Sequence, residues 1–359
     1  MKYFSQTRNL ILASLAAILL VACSKKAPDI PDAGTAAPNI SGEASSSASS
    51  TTHNPCSLLE AKEVEAVLGG TLAGPPYRFN KTGKEGPAPD GEACRYETAG
   101  YHFIEIEVEW EGGAQTMKMY GTVQNLVDQK MKGVLKLGDG SELTGEWDEA
   151  KVVNCCTFLA MRGDQLVTVD IAGSNSTLEQ AAKIADAALK RIEKPLSVES
   201  AAGIVAAIAR YATRPKERDP CSLVSRAEAE TALEAPLTMD PVADGSKCIY
   251  TYTGTGKLPW KPELVLDIRW RNGFAQYREH AALTANVGKV FALGDKAGID
   301  KKESAAPDPA LIGPWEAAQF AMFEFSAVKK DVLVKADASA AIKKEEPARR
   351  FVTIAMSKL

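Results

Sequence analysis

The sequence has little from which a catalytic centre could be built. Its three histidines, His53, His102 and His280, do not occupy matching positions in the two repeats described below. The chain also lacks a Gly-x-Ser-x-Gly nucleophile elbow, a His-Glu-x-x-His motif and a phosphate-binding loop. We therefore expect a protein that is not an enzyme and that holds no cofactor or metal ion.

An excess of positive charge is absent as well. The formal net charge is −4 at pH 7. Proteins that bind polyanions present a basic face, so we expect no nucleic-acid partner.

The N-terminal apolar run is too short to cross a bilayer comfortably, and it fits the apolar core of a signal peptide. It covers Leu10–Val21 and follows the basic residues Lys2 and Arg8. Its end, Leu20-Val21-Ala22-Cys23, resembles a bacterial lipobox, in which the peptide is cut before the cysteine and the thiol is acylated. The resemblance implies a signal peptide at 1–22 and palmitate-type lipidation of Cys23. A plain secretory signal and a membrane anchor are the alternatives.

The same resemblance implies a location on the periplasmic side of the cell membrane or of the outer membrane, held by the lipid. Ser24 after the cysteine favours the outer membrane. Residues 23–53 are rich in Ser, Ala, Pro and Gly. Because such a composition cannot bury enough apolar surface to offset the entropy of ordering, we expect a flexible lipidated tether.

The rest of the chain contains one pattern twice. Asn54-Pro55-Cys56-Ser57 matches Asp219-Pro220-Cys221-Ser222. Three later landmarks recur in the same order: Cys94-Arg95-Tyr96 with Cys248-Ile249-Tyr250, Glu109-Trp110-Glu111 with Arg269-Trp270-Arg271, and Leu137-Gly138-Asp139 with Leu293-Gly294-Asp295. The order predicts repeat domains at 54–193 and 219–359, joined by a helical linker at 194–218.

Each repeat shows the periodicities of a sheet flanked by helices. In Phe103–Glu111 the apolar residues alternate with glutamates, which predicts a strand with one solvent-facing side in an antiparallel sheet. We expect a helix to begin at Ser57, with Glu60 completing its capping box. Further strands are predicted at Val152–Met161, Gln165–Ile171 and Gln319–Val328.

Six cysteines remain after Cys23. In an exported chain we expect them to pair, and the duplication selects Cys56–Cys94 and Cys221–Cys248. Cys155 and Cys156 are adjacent, and their counterpart in the second repeat is Met322-Phe323. Neighbours in a strand point to opposite faces, so a bond between them would distort a strand. The alternatives are a strained structural bridge, two buried thiols, a redox pair, half of a metal site, or a link between two molecules.

The predicted solvent-facing strips of the two repeats differ in charge. One carries Glu107, Glu109 and Glu111, and the other carries Asp267, Arg269 and Arg271. One hypothesis is that these faces meet or bind a bridging partner. The alternative is two independently solvated faces.

The Pro-Cys-Ser-Leu-Leu motif at 55–59, Cys94-x-Tyr96 and the Leu-Gly-Asp motif together resemble uncharacterised envelope lipoprotein domains. These are similar to the PsbP-type α/β/α sandwich, so the resemblance implies an α+β chain of two tandem antiparallel-sheet and helix domains. It also implies a non-catalytic binding or assembly module for an envelope protein or lipid. A structural envelope lipoprotein, or a thiol-redox protein that uses Cys155-Cys156, is the alternative.

Overall fold

The structure is a computed structural model, and it describes residues 53–81, 85–131, 142–196, 200–253, 262–294, 313–321, 324–338 and 345–359. The leader, Cys23 and nearly all of the tether lie outside these residues. So do the motif Leu137-Gly138-Asp139 and the pair Met322-Phe323.

The chain is a mixed α+β structure with two antiparallel sheets, as predicted. The strands of the first sheet are β1 Tyr77–Asn80, β2 Gly86–Pro87, β3 Ala93–Glu97, β4 Phe103–Glu109, β5 Glu149–Val152, β6 Thr157–Arg162 and β7 Gln165–Asp170. Their order is β2-β1-β3-β4-β7-β6-β5.

The strands of the second sheet are β8 Val242–Asp244, β9 Lys247–Thr251, β10 Glu263–Arg269, β11 Ala317–Ala321, β12 Glu324–Lys329 and β13 Val332–Asp337. Their order, β11-β12-β13-β10-β9-β8, repeats that of the first sheet without a counterpart of β2. The register repeats too, because Ile106 lies opposite Cys94 and Leu266 lies opposite Cys248.

The helices within the described residues are α1 Ala61–Leu68, α2 Gly113–Met131, α3 Leu178–Arg191, α4 Ser200–Ala212, α5 Arg226–Leu233, α6 Gly273–Gly294 and α7 Glu345–Ser357. The boundaries of α3 follow from its cap. Thr177 accepts a hydrogen bond from Gln180 N, and the Gln180 side chain accepts from Thr177 N, which satisfies two helix-end donors.

Helices cover both faces of the first sheet. One face forms the main core with α3, whose Ala181, Ile184, Ala185, Ala188 and Leu189 are all buried. On the opposite face, Met117 of α2 packs against Leu159 and Leu166, and Ile204 of α4 packs against Phe79. The second sheet packs one face on α7, through Phe351 and Val352. Helix α6 contacts β12 and β13. The described residues between 53 and 359 belong to one compact unit.

The predicted helix start at Ser57 is wrong. Asn54 and Asp219 instead cap short 3-10 turns, Pro55–Ser57 and Pro220–Ser222, and their Oδ1 atoms accept from Cys56 N and Cys221 N. An Asx residue followed by proline favours such a turn. Helix α1 begins only at Ala61, after its own capping box.

The predicted strand Val152–Met161 is confirmed only from Thr157 onwards, because the chain leaves the sheet between Val152 and Thr157. The two pieces pair with each other as β5 and β6. Cys155 and Cys156 therefore lie in the connection between two strands, where the alternation of faces does not apply. Similarly, the predicted strand Gln319–Val328 is divided between β11 and β12.

Candidate functional site

A group of charged side chains is buried where the two sheets meet. We call it the junction and define it as Arg95, Glu97, Arg214, Asn272 and Asp331. Arg214 contacts Glu97 Oε1 of the first sheet at 2.6 Å and Asp331 Oδ2 of the second at 2.9 Å. All three of these charged side chains are at most 2 % exposed. One guanidinium thus joins two carboxylates that come from different sheets.

Strand alternation brings the first sheet's charges to this position. In β3, Cys94 and Tyr96 enter the apolar core, so Arg95 and Glu97 point to the other face. Glu97 accepts hydrogen bonds from Tyr77 Oη and Arg214 Nη2, and the Arg210 guanidinium lies 3.6 Å away. Such contacts offset part of the cost of taking a carboxylate out of water.

Asp331 is positioned by the turn between β12 and β13. Its carbonyl accepts from Gly273 N and its carboxylate accepts from Asn272 N at 2.8 Å, so it caps the first turn of α6. Asp164 is the matching residue of the first sheet. Its carbonyl accepts from Gly113 N, and its carboxylate accepts from Gly112 N and Ala114 N. The motif is the same, but only Asp331 is buried against Arg214.

These surroundings shift the two pKa values in opposite directions. Burial raises the pKa of Asp331 to about 6, and the Arg214 guanidinium only partly offsets this rise. The backbone donors Gly112 N and Ala114 N lower the pKa of Asp164.

A second buried ion pair lies beside the first. Arg95 Nη2 is 2.5 Å from Glu105 Oε1, and both side chains are at most 4 % exposed. The Arg95 guanidinium stacks on the rings of Phe79 and Phe103, and its Nη1 donates to Asn272 Oδ1 at 3.0 Å. The expectation that the whole glutamate side of β4 faces solvent is therefore wrong for Glu105, because Arg95 pairs with it and Lys81 Nζ lies 3.4 Å from its Oε2.

The residues of the two predicted solvent-facing strips have other neighbours than the hypothesis of facing strips requires. Glu107 pairs with Lys81, and Glu109 accepts from Thr116 Oγ1 at 2.7 Å, both within the first sheet and its helix. Arg269 pairs with Asp267 at 3.2 Å in the second sheet. Arg271 lies over the ring of Tyr211, with 5.0 Å from Cζ to the centroid, and Glu111 is exposed. Among the ion pairs of the described residues, none joins one strip to the other.

The described residues contain three disulfides. Cys56–Cys94 and Cys221–Cys248 each join a 3-10 turn to the neighbouring sheet, and both have Cα atoms 5.0 Å apart. These are the two pairs that the duplication selects. The third is the adjacent pair Cys155–Cys156.

Other candidate features are limited. Within the described ranges, no group of three or more His, Cys, Asp and Glu side chains is placed to hold a metal ion, and no helix is long and apolar enough to cross a membrane. His53 lies near Trp110, His102 contacts Phe274, and His280 Nε2 is 2.8 Å from Glu324 Oε1. The histidines thus lie in three separate places.

No protein-family model matches the chain, and no curated protein and no solved structure matches it.

The sequence interpretation missed Arg214 altogether. It lies just after α4 in a charged stretch, where no periodicity marks it for burial. A weak signal existed for Arg95 and Glu105, since both fall on the non-core positions of neighbouring strands and bear opposite charges.

Proposed function

We propose that the chain is a lipid-anchored protein of the cell envelope whose two tandem, PsbP-like α/β/α domains act together as a non-catalytic binding or assembly module. The tandem arrangement is supported by the repeated strand order, register and Asp-capped helix start. The anchor is supported by the lipobox-like Leu20-Val21-Ala22-Cys23.

The observation that carries the functional part is the junction. Burying Glu97, Arg214 and Asp331 removes three charges from water, which requires close mutual pairing. Such an interface holds the two domains in one relative position. A module of this kind presents two sheets to a protein or lipid partner as a single body, and the tether would place that body close to the membrane.

The anchor is tested by metabolic labelling with an alkyne analogue of palmitate. We expect label on the wild-type protein, which should fractionate with membranes, and no label on Cys23→Ser. A labelled Cys23→Ser protein, or an unlabelled wild type, would contradict the lipoprotein assignment.

The binding role is tested with the intact lipoprotein, purified from detergent-solubilised envelopes together with whatever it holds. We expect one protein or lipid to be enriched by the wild type and to rebind the purified chain directly. Arg214→Met should lose that binding, because the two domains no longer hold one relative position, whereas the surface variant Arg218→Gln should keep it. Equal recovery with Arg214→Met would show that the paired domains are not what the partner recognises, and would favour a structural lipoprotein.

A further inference from the structure

The adjacent disulfide Cys155–Cys156 differs from the other two in what it can do for stability. The bridges at Cys56 and Cys221 close loops with sequence separations of 38 and 27, whereas the adjacent pair has a separation of 1. Loop closure stabilises a fold less as the loop shortens. This bond therefore adds the least to the folding of the chain.

The two sulfur atoms of this disulfide also differ in how far they are exposed to solvent. Cys156 is fully buried in the apolar core of the first sheet, and Cys155 is half-buried at the edge of that core. An external thiolate can therefore reach Cys155 Sγ more easily than Cys156 Sγ, which defines an attacked sulfur and a leaving sulfur.

A short chain of hydrogen bonds runs from this disulfide to helix α6. Ile171 N donates to the Cys156 carbonyl at 2.8 Å. The Ile171 carbonyl accepts from Arg278 Nη1 of helix α6 at 2.8 Å. Arg278 also donates to the carbonyls of Ser174 and Ser176, so its guanidinium binds three carbonyls of the segment that follows β7.

Apolar contact reinforces the same connection. Ala275, one turn before Arg278 on α6, packs against the core cluster that contains Cys156. Phe274 lies edge-on to His102 of the first sheet, with ring centroids 4.6 Å apart. The start of α6 thus packs against the first sheet, whose core contains Cys156.

We propose that Cys155–Cys156 is a thiol-exchange site for a dithiol reductant, and that its oxidation state controls how firmly the start of helix α6 binds the first sheet. A thiolate of the reductant attacks Cys155 Sγ, the S–S bond breaks, and Cys156 leaves as a thiolate that takes a proton. The second thiolate of the reductant then attacks the reductant's other sulfur, which is bonded to Cys155 Sγ in the mixed disulfide. Cys155 is released as a thiol, and the reductant leaves as a disulfide, so that two electrons and two protons are transferred.

Reduction loosens the contact because it removes the ring that restricts the backbone of residues 155 and 156. The Cys156 carbonyl then holds the Ile171 amide less firmly, and the Ile171 carbonyl is the one that Arg278 binds. The proposal does not depend on the identity of any partner, so it can fail while the proposed binding function stands.

The test uses the full lipoprotein in detergent, treated with increasing dithiothreitol, alkylated and mapped by mass spectrometry residue by residue. We expect Cys155 and Cys156 to be alkylated together under conditions that leave Cys56–Cys94 and Cys221–Cys248 closed. Reduction of the other two bridges first, or of all three together, would overturn the exchange site.

The coupling is read by hydrogen exchange in the same samples. Reduction should speed the exchange of peptides covering 271–280 several-fold, and Cys155→Ala/Cys156→Ala should exchange at the fast rate with or without reductant. Arg278→Gln should keep the reducible bond but lose the response at 271–280, while the exposed control Arg218→Gln keeps both. Unchanged exchange on reduction of the wild type would overturn the coupling.

Discussion

Arg214 is the residue on which the contact between the two sheets depends most. It is 1 % exposed and bonded to carboxylates of both. Removing one partner of a buried ion pair leaves an uncompensated charge and typically costs about 3–5 kcal/mol.

We therefore expect Arg214→Met to lower the free energy of unfolding by about that amount, 3–5 kcal/mol. Arg218→Gln is the matched control, since Arg218 lies four residues away and donates to the Lys358 carbonyl in an exposed bond. Its effect should stay within about 0.5 kcal/mol. Denaturant titration followed by circular dichroism measures both, and equal losses would contradict the assignment of Arg214.

Asp331 and Asp164 occupy the same place in the two halves of the fold, yet their surroundings shift their pKa values in opposite directions. The pKa of Asp331 is raised to about 6 in the folded state by burial. A raised folded pKa means that the stabilising contribution is fully present below the unfolded pKa, about 3.9, and is lost as the pH rises to the folded value. For Asp164 the pKa is lowered, so its contribution is present at neutral pH and is lost on acidification.

The prediction concerns differences from the wild type in unfolding free energy between about pH 2.5 and pH 7.5. This range includes the raised pKa of Asp331 and extends below the ordinary aspartate pKa of about 3.9, where the contribution of Asp164 is lost. Relative to the wild type, Asp331→Asn should become more stable as the pH rises, because it removes a buried charge that is costly at neutral pH. Asp164→Asn should become less stable over the same interval. Parallel curves for the two variants would contradict the opposite pKa directions.

At the scale of elements, the two sheets share one way of starting a helix. Glycine is required at the first residue of both α2 and α6, because a Cβ at Gly113 would lie 2.7 Å from Leu166 Cβ and one at Gly273 would lie 2.5 Å from Leu333 N. Both clashes are with atoms held by the sheet, so the helix start would have to move.

We expect Gly273→Ala to destabilise the protein by about 1–3 kcal/mol through overpacking. Gly121→Ala, inside α2, is the control: its nearest neighbour is the flexible end of Lys151 at 3.5 Å. There alanine should stabilise by up to about 1 kcal/mol, as glycine is a poor helix former. Melting temperatures of the two variants should therefore move in opposite directions, and a shared direction would refute the argument.

The disulfides give a second comparison between elements. From loop length alone, opening Cys56–Cys94 or Cys221–Cys248 should cost ~3.5 to 4 kcal/mol, and opening Cys155–Cys156 about 1 kcal/mol. Serine pairs at each site, compared by denaturant unfolding, should show this ranking. If opening Cys155–Cys156 lowered the free energy of unfolding as much as opening either of the other two, that bond would have a structural role.

Many of the strands and the bridged cysteines were predictable from the sequence. The alternation of Ile104 and Ile106 with glutamates marks β4. The recurring Pro-Cys-Ser motif marks one cysteine of each bridge, but not the 3-10 turn that holds it. The break between Val152 and Thr157 was not found from alternation. Its signal is the single residue Asn154, whose Oδ1 accepts from Cys156 N as in an Asx turn. The burial of Glu105 was missed for a different reason: its pairing with Arg95 depends on the register between β3 and β4, which alternation within one strand does not give.

At the scale of the whole molecule, the structure joins two sheets of one strand order into a single compact unit through charged rather than purely apolar contacts. Charged interfaces specify relative position more strictly than apolar ones, since a shifted partner leaves a buried charge unpaired. This is the property that a two-domain binding module on a tether would use.

Hydrogen exchange in increasing denaturant, read separately for peptides of β3–β4 and of β9–β10, tests this account most directly. In the wild type we expect both sets to lose protection in one transition, because neither sheet opens without exposing the junction. In Arg214→Met we expect two separate transitions. Independent opening of the two sheets in the wild type would contradict the claim that the junction makes them one body.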